Sequence, residues 1–339
     1  MVWRRWLVNV KELIRTINHT LKSHNLFPEN SRILVACSGG PDSMALLYLL
    51  QDIATHRHTT YKIGVAIVDH CIRPESKDEV LWLQHQVEEL GLPFYSATFD
   101  VPRLSKEDKK SEETIGRQVR YQWLNEIAQS EGYDYISVAH HKDDQAESIL
   151  AHIIRGSGLN GLTGMSVVQS EYAIPVVRPL LDVTKENLLA YIGTKHISYC
   201  VDSTNEDVRY QRNRIRHRII PELEAVNPAV VDAIVRLGSS VNEDVMVISD
   251  LTARTFDKLV SIGDDEVRIS RRALRQEPLA IQRRLWQRLV STIDSDLTLT
   301  SAHQEQLLDI VNTGEKKTFT IKSIKVIAQC DTIKVYCKH

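Results

Sequence analysis

Residues 33–43 read ILVACSGGPDS, five apolar residues that lead directly into a segment rich in glycine and serine. A short apolar run that ends at glycines predicts a buried β-strand. The next residues, 44–50, read MALLYLL and predict a helix that begins at once. Residues 38–43 are therefore predicted to form a tight loop between a buried strand and the N-terminus of a helix.

The predicted loop has the chemistry of a phosphate-binding site. Glycine lets the backbone turn with its N–H groups pointing inward, and the N-terminus of a helix carries partial positive charge. The serine hydroxyls can donate to phosphate oxygens, and Asp42 can hold Mg²⁺. An ordinary turn is the alternative for S-G-G alone, but the complete S-G-G-P-D-S after a buried strand favours phosphate binding. The predicted phosphate-binding residues are Ser38, Gly39, Gly40, Pro41, Asp42 and Ser43.

Strand and helix patterns alternate on both sides of this loop, from residue 31 to about 200. Further strands are predicted at 63–68, 94–99, 135–139 and 174–177, with helices near 76–90, 112–130 and 143–155. This alternation predicts an α/β fold with a doubly wound parallel sheet covered on both faces. Ligands bind outside the carboxyl ends of the strands in such sheets, and the predicted loop lies at one of those ends.

The pattern changes near residue 219. Proline-containing breakers at 219–221 and 227–228 precede a mostly helical region, 229–312, and three β-branched segments at 318–321, 324–328 and 332–336 predict a small terminal sheet. We therefore predict two domains, a catalytic domain over 1–218 and a smaller helical domain over 219–339.

Composition narrows the class of protein. The chain of 339 residues has 42 Lys+Arg against 44 Asp+Glu, so nucleic acid would have to bind through local basic patches. Its five cysteines include no C-x-x-C pair, which argues against a zinc ribbon or a redox pair and fits a reducing cytosol. The apolar run after Arg4 and Arg5 is too short for a signal peptide, and no run approaches the ~18 apolar residues of a membrane span. We expect a cytoplasmic protein without membrane contact, and a homodimer is compatible with the sequence.

The loop sequence resembles the signature of the PP-loop ATP pyrophosphatases, a resemblance that implies cleavage of ATP between its α- and β-phosphates. Later motifs resemble the tRNA(Ile)-lysidine synthetases, in the same order, over roughly residues 31–230. Cys71 stands where that family has glycine, and Ile115-Gly116 stand where it has small alanines. The motifs are VDHCIRPES at 68–76, the helix 113–121, AHHKDDQAE at 139–147, the glycine-rich loop 155–165, DSTN at 202–205 and YQRNRIRH at 210–217.

The resemblance implies a two-step reaction on RNA. ATP adenylates the C2 carbonyl oxygen of the wobble cytidine in the isoleucine tRNA with a CAU anticodon, and free L-lysine then displaces AMP. The product, lysidine, changes codon specificity from AUG to AUA. ATP and Mg²⁺ are the implied ligands, tRNA and lysine are the implied partners, and the second domain is expected to recognise tRNA.

Four residues are candidates for catalysis: Asp42, Arg120, His140 and Asp144. Asp42 is the metal candidate, and a neutral His140 at a strand end can accept a proton or orient phosphates. Asp144 with Glu147 also fits a helix capping box, which is compatible with a substrate role.

Other candidates concern ATP and RNA. Asp69, at the end of the second strand, is expected to contact the ribose or adenine of ATP, with a turn cap as the alternative. The RNA-binding candidates are Arg117, Arg212, Arg214 and Arg216. A solvated helix face is the alternative for Arg117 and Arg120, which share one face of a helix. A second cluster, with seven arginines between 268 and 288 against one acid, Glu277, fits RNA phosphates or a solvated surface equally well.

Three other functions remain open from the residues alone. A tRNA thiolase of the same fold commonly needs paired cysteines or an iron–sulfur site, and the sequence has no C-x-x-C. A catalytically silent RNA-binding protein is disfavoured because the loop and His140 are intact. A synthetase for a small molecule, such as a GMP synthetase, is disfavoured by the arginine-rich second half.

Overall fold

The structure is a computed structural model that describes residues 10–57, 59–73, 75–200, 211–263, 266–294, 297–313 and 316–337. The chain divides into two compact units, residues 1–239 and 240–339. The division falls inside one long helix, Val230–Leu259. The domain boundary at 218 lies ahead of this division and stays a prediction.

The first unit is built on a six-stranded sheet with the order β3-β2-β1-β4-β6-β5. Strands β1 to β4 and β6 are parallel to their neighbours, and only the edge strand β5 runs antiparallel, against β6. The strands are β1 (Arg32–Ala36), β2 (Lys62–Asp69), β3 (Phe94–Thr98), β4 (Tyr135–Ser137), β5 (Val168–Gln169) and β6 (Val176–Val177). The predicted α/β fold with its parallel sheet is confirmed, although the segment predicted at 174–177 pairs over two residues only.

Helices cover both faces of this sheet. Alternate side chains of β1 enter opposite cores: Ile33 and Val35 pack with the core under α2, while Leu34 packs with the core under α5. The helices of this unit are α1 (Val10–Ser23), α2 (Pro41–His56), α3 (Ser76–Glu89), α4 (Val101–Asp108), α5 (Glu112–Ser130), α6 (Lys142–Ile154), α7 (Leu159–Leu162), α8 (Lys185–Lys195), α9 (Gln211–Arg214), α10 (Ile220–Val226) and α11 (Val230–Leu259). A π-helical segment, Ile215–Ile219, joins α9 to α10.

The strand order creates a crevice at the carboxyl ends of β1 and β4. From β1 the chain moves outward to β2 and β3, and it then returns to add β4 on the other side of β1. Neighbouring strands whose following loops leave in opposite directions open a crevice, which is where ligands bind in open α/β sheets. The loop 38–43 follows β1 and residues 139–141 follow β4, so this crevice defines the candidate site.

The second unit combines helices with a five-stranded antiparallel sheet of order β7-β8-β11-β10-β9. Trp286 is fully buried in its core. The three terminal strands were predicted, whereas the β7–β8 hairpin was predicted as helical. Its elements are β7 (Val260–Ile262), β8 (Val267–Ser270), α12 (Arg271–Gln276), α13 (Leu279–Ile293), α14 (Ser301–Asn312), β9 (Lys317–Ile321), β10 (Ile324–Gln329) and β11 (Thr332–Cys337).

Candidate active site

The predicted phosphate-binding segment connects β1 to α2, but only residues 37–40 form the loop, because Pro41, Asp42 and Ser43 already belong to the first turn of α2. Gly39 has a φ of +78°, a conformation that glycine adopts at little cost. The Ser43 hydroxyl accepts a hydrogen bond from the Ser38 N–H at 3.2 Å and donates to the Gly40 carbonyl at 2.9 Å, which closes the loop on itself. Gly40 is the N-cap of α2 and no side chain caps the helix. The N–H groups of the first turn are therefore left for a ligand.

Asp42, in the first turn of α2, faces a buried histidine. The Asp42 Oδ2 atom lies 3.6 Å from His141 Nε2 and 3.8 Å from Lys185 Nζ. The other oxygen, Oδ1, is buried and accepts no hydrogen bond. A buried carboxylate oxygen without a partner is costly, and a bound cation or ligand donor would relieve that cost.

His141 follows β4 and is 1% exposed. Its ring lies 3.4 Å from Asp143, 3.4 Å from Asp144 and 3.6 Å from Asp42. Burial lowers the pKa of His141, but the nearby carboxylates of Asp143, Asp42 and Asp144 outweigh it and raise the pKa to about 9. His141 is therefore a cation at neutral pH, held beside the phosphate loop.

His140, the preceding residue, has the opposite protonation state. Burial lowers the pKa of His140 to about 3, and the positive charges of Arg178 and Arg212 overcome the attraction of Asp144. Its Nδ1 atom is buried and lacks a hydrogen-bond partner. A neutral imidazole with an unpartnered nitrogen can accept a proton or bind a donor of the substrate.

Asp144 and Glu147 of α6 form an ionic network with two arginines. Asp144 accepts the His141 backbone N–H at 3.0 Å, so it caps α6 from its third position, whereas the sequence had placed the cap at Asp144 itself. Arg212 donates to Asp144 at 2.7 Å and to Glu147 at 2.9 Å. Arg216 donates to Asp144 at 3.0 Å and to Glu147 at 2.6 Å.

This network holds the Asp144 carboxylate ionised. Burial alone would raise its pKa, but the charges of His141 and Arg212 bring the pKa to about 2. Two of the arginines predicted to bind RNA thus bind carboxylates of their own chain. Arg214, between them, is exposed. The DSTN motif at 202–205 lies outside the described residues.

Arg117 and Arg120 of α5 lie beside an aromatic pair formed by Tyr121 of the same helix and Tyr172 of the connection between β5 and β6. Their guanidinium carbons lie 4.8 and 5.1 Å from the centre of the Tyr121 ring, which stacks on Tyr172. Burial raises the pKa of the Tyr121 hydroxyl, but the nearby Arg120, Arg117 and Arg178 lower it overall. The sequence-based candidates Arg117 and Arg120 therefore belong to a cationic cluster around Tyr121, and the charge of Arg120 also acts on His140.

Arg178 is a site residue that the sequence reading missed. It follows β6, is 2% exposed, and donates to the Ser166 carbonyl at 2.9 Å and to Gln169 at 2.6 Å. Its Nε atom has no partner. The available signal was its place directly after a predicted strand, since site residues follow strands in this fold. His141 carried the same signal, and Lys185 had none because it reaches the site from α8.

Asp69 caps the turn at the end of β2, which is the alternative to an ATP contact that the sequence left open. Its Oδ1 atom accepts the Cys71 N–H at 2.8 Å and thereby closes the turn. Cys71 has a φ of +52°, a conformation that glycine adopts more readily, which explains glycine in related sequences. A contact between Asp69 and ATP stays a prediction.

The donor set near Asp42 fits Mg²⁺ bound mainly by substrate. Within the parts of the chain that the structure describes, no group of three or more His, Cys, Asp or Glu residues could hold a metal by itself. Mg²⁺ commonly uses one or two carboxylates together with phosphate oxygens and water. The unpartnered Asp42 Oδ1 suits that role.

Known proteins agree with this geometry. Residues 9–223 match the family model of the PP-loop domain. The tRNA(Ile)-lysidine synthase of Nostoc sp. is 32% identical over 310 residues, which cover 87% of this chain and 86% of that protein. The chain belongs to the tRNA(Ile)-lysidine synthase family. The resemblance inferred from the motifs is thereby confirmed, and the PP-loop domain supports the use of ATP.

Three further proteins are similar to this chain. The tRNA(Ile)-lysidine synthases of Porphyromonas gingivalis and Thermosipho africanus are 35% and 37% identical, and the aligned regions cover 48% and 56% of those proteins. The chain thus spans about half the length of these relatives. A solved U34-tRNA thiolase from Methanococcus maripaludis, 20% identical with a TM-score of 0.57 over 69% of this chain and 78% of that one, shares the fold.

Proposed function

We propose that the protein joins free L-lysine to the wobble cytidine of the isoleucine tRNA with a CAU anticodon, using ATP. One observation carries the proposal: a loop with uncapped N–H groups and a neutral, partly buried His140 meet at one crevice in a member of the lysidine synthase family. The codon read by the tRNA would change from AUG to AUA.

In the first step, the C2 carbonyl oxygen of cytidine attacks the α-phosphorus of ATP. The bond from this phosphorus to the bridging oxygen breaks, and pyrophosphate leaves. The backbone N–H groups of Gly40, Asp42 and Ser43, at the N-terminus of α2, stabilise the departing charge. Mg²⁺ bound beside Asp42 would neutralise part of that charge. The cationic His141 attracts the Asp42 carboxylate and so helps to fix its position.

In the second step, the lysine amine attacks C2, and the bond between C2 and the oxygen of AMP breaks. The attacking nitrogen must lose a proton as the new bond forms. His140 is neutral at pH 7 and its buried Nδ1 has no partner, so it is positioned to accept a hydrogen bond from the attacking amine, while its lowered pKa leaves the proton itself to the departing phosphate of AMP. Arg120 supplies positive charge near the same histidine for phosphate or base, and Arg117 adds positive charge beside the Tyr121 ring that Arg120 also contacts.

The remaining arginines have different roles in this proposal. Arg212 and Arg216 orient Asp144 and Glu147, and through them the N-terminus of α6. In the second unit, Arg272, Arg275 and Arg283 are exposed and suit contacts with RNA phosphates. Arg271 is buried and Arg288 lies over Phe256, so these two support the fold instead. Residues 219–339 would serve as the tRNA-recognition part.

A cytoplasmic location fits the same proposal. The cysteines at 37, 71, 200 and 330 are all free, as a reducing compartment favours. Among the described residues, no helix has both the length and the apolar character to cross a bilayer. A homodimer stays a prediction, which light scattering tests.

The decisive experiment incubates the protein with ATP, labelled lysine and bulk tRNA, followed by digestion of the RNA to nucleosides. Label in a single modified cytidine, dependent on ATP, is the expected result. Exchange of labelled pyrophosphate into ATP, stimulated by tRNA, reports the first step separately. Transfer of sulfur from a donor in place of lysine would overturn the proposal in favour of a thiolase.

A further inference from the structure

A groove lies at the C-terminal end of α6, whereas the candidate active site lies at the N-terminus of that helix, and the groove takes no part in the chemistry described above. Its volume is about 490 Å³, within the range of small-ligand sites. Ile154, Ile215, Ile219 and Leu223 line it with apolar surface. It lies between the last residue of α6 and the segment that runs from α9 to α10.

Charge is placed at the edge of this groove. Arg214 and Arg218 line it and are exposed, against one carboxylate, that of Glu222. An aliphatic floor with guanidinium groups at the rim suits a ligand that has a flat, weakly polar part and a negative part. A nucleotide of single-stranded RNA has both, because its base can lie on apolar or guanidinium surfaces while its phosphate pairs with arginine.

The groove and the active site share two elements. Arg212 and Arg216 hold Asp144 and Glu147 on one side of the segment 211–219, while Arg214 and Arg218 lie two residues further on, a rotation of about 200° in a helix. The widened π-helical turn, Ile215–Ile219, carries Arg216 on one of these sides and Arg218 on the other. Such turns are often found at functional sites.

The spacing along α6 limits which nucleotide can reach the groove. Asp144 and Ile154 are ten residues apart on this helix, which corresponds to about 15 Å along its axis. Stacked nucleotides advance by about 3.4 Å each, so the groove is about four stacked nucleotides from the active site, and fewer if the strand is extended.

We propose that this groove binds a second nucleotide of the RNA substrate, within about four positions of the cytidine that reacts. The inference rests on the proposed function and adds to it a recognition site outside the catalytic centre. Binding a neighbouring base there would hold the loop open around the reacting base and make the enzyme sensitive to the neighbour's presence.

The test fills the groove with a large side chain. Ile154 is 55% exposed and Ile153 is 47% exposed, and of the two only Ile154 lines the groove. Ile154→Trp should weaken affinity for an anticodon stem-loop about tenfold, the size expected when one base loses its packing, while ATP affinity and Tm stay unchanged. Ile153→Trp, the matched control, should bind RNA like wild type.

A scan of the RNA identifies the bound nucleotide. Stem-loops with a single abasic site at each position of the loop are titrated against wild type and Ile154→Trp. At one position within about four of the reacting cytidine, the abasic stem-loop should bind wild type about as weakly as the unmodified stem-loop binds Ile154→Trp, and combining the abasic site with the variant should weaken binding little further.

Three results would overturn the inference. Wild-type RNA affinity in Ile154→Trp is one, and a defect equal in Ile153→Trp is another. The third is a change in oligomeric state without a change in RNA binding, which would assign the groove to a second copy of the chain. Labelling of tRNA with lysine by wild type in the same preparations separates failure of this inference from failure of the proposed function.

Discussion

Asp42 and Glu147 are both carboxylates of the candidate active site, but their surroundings differ. Asp42 keeps one buried oxygen without a hydrogen bond. Glu147 is 1% exposed and accepts hydrogen bonds from two guanidinium groups. A buried polar atom without a partner costs free energy, whereas a paired one is complete. At the loop, Asp42 therefore has an unsatisfied oxygen that a ligand can bind. On the α6 side, Asp144 and Glu147 are paired with Arg212 and Arg216, and this ionic network supports the site.

The largest expected effect concerns the unsatisfied carboxylate. Asp42→Asn should lower the rate of tRNA-dependent pyrophosphate exchange by about 10²–10³, as the loss of one charge-stabilising group does elsewhere. The dependence of ATP affinity on Mg²⁺ should also weaken, while Tm changes little. Asp108→Asn, at an exposed carboxylate of α4, is the control. A normal exchange rate in Asp42→Asn would exclude Asp42 from metal and phosphate binding.

Glu147, the carboxylate with hydrogen-bond partners, should contribute mainly to the stability of the fold. Glu147→Ala strands Arg212 and Arg216 with only Asp144 as partner, so the free energy of unfolding should fall by about 2–4 kcal/mol, less than for a fully buried pair because the arginines are partly exposed. Urea denaturation measures this change, with exposed Glu224→Ala as the control. Unchanged stability would mean that this ionic network does not stabilise the fold.

A smaller effect separates neighbouring arginines. Arg212→Ala removes two hydrogen bonds to buried carboxylates and should lower stability by about 1–3 kcal/mol, whereas exposed Arg214→Ala should change it by less than about 0.5 kcal/mol. If Arg214 contacts RNA, its alanine variant should still weaken tRNA binding and reduce the salt dependence of that binding.

The measurement is tRNA affinity at two salt concentrations, beside ATP affinity and Tm, for each variant. Equal tRNA affinity in wild type and Arg214→Ala, with both folded, would remove Arg214 from the RNA site. If Arg214→Ala instead lost affinity for both tRNA and ATP and also had a lower Tm, Arg214 would be a structural residue.

A further expected effect is on the pH dependence of stability. The pKa of His141 is raised to about 9 from an ordinary 6.5, so its charge stabilises the folded state below pH 6.5, and this contribution is lost as pH rises through 9. The difference in Tm between wild type and His141→Gln should therefore shrink between pH 7 and pH 10. A difference that stays constant with pH would show that His141 is neutral in the folded protein.

His140 gives the opposite sign. Its pKa is lowered to about 3, so the folded state resists its protonation, and its contribution to stability falls as pH drops below 6.5. As pH falls from 7 to 4, the Tm of wild type should therefore decrease more than the Tm of His140→Gln. The two Tm values should converge, or cross in favour of the variant. Comparing the two histidines by NMR titration would resolve both signs at once.

Local patterns predicted the parts of the fold that depend on local interactions. The apolar run 33–37, the helix 143–155 and the alternation of strands and helices are visible in sequence, because burial and periodicity act over a few residues. The β7–β8 hairpin was missed because β8 is held by pairing with β11, about 65 residues later.

For the site, the sequence by itself determined which residue types follow each strand: the glycine loop after β1, the two histidines after β4, and the order of motifs that identifies the family. Only the tertiary structure decided their states. Adjacent His140 and His141 have nearly the same sequence context, yet one is neutral and the other charged, because three carboxylates from two helices surround only the second. Arg212 and Arg214 likewise differ only by which side of their helix meets α6. Electrostatic and burial energies depend on distances through space, and those distances are settled only when the elements pack.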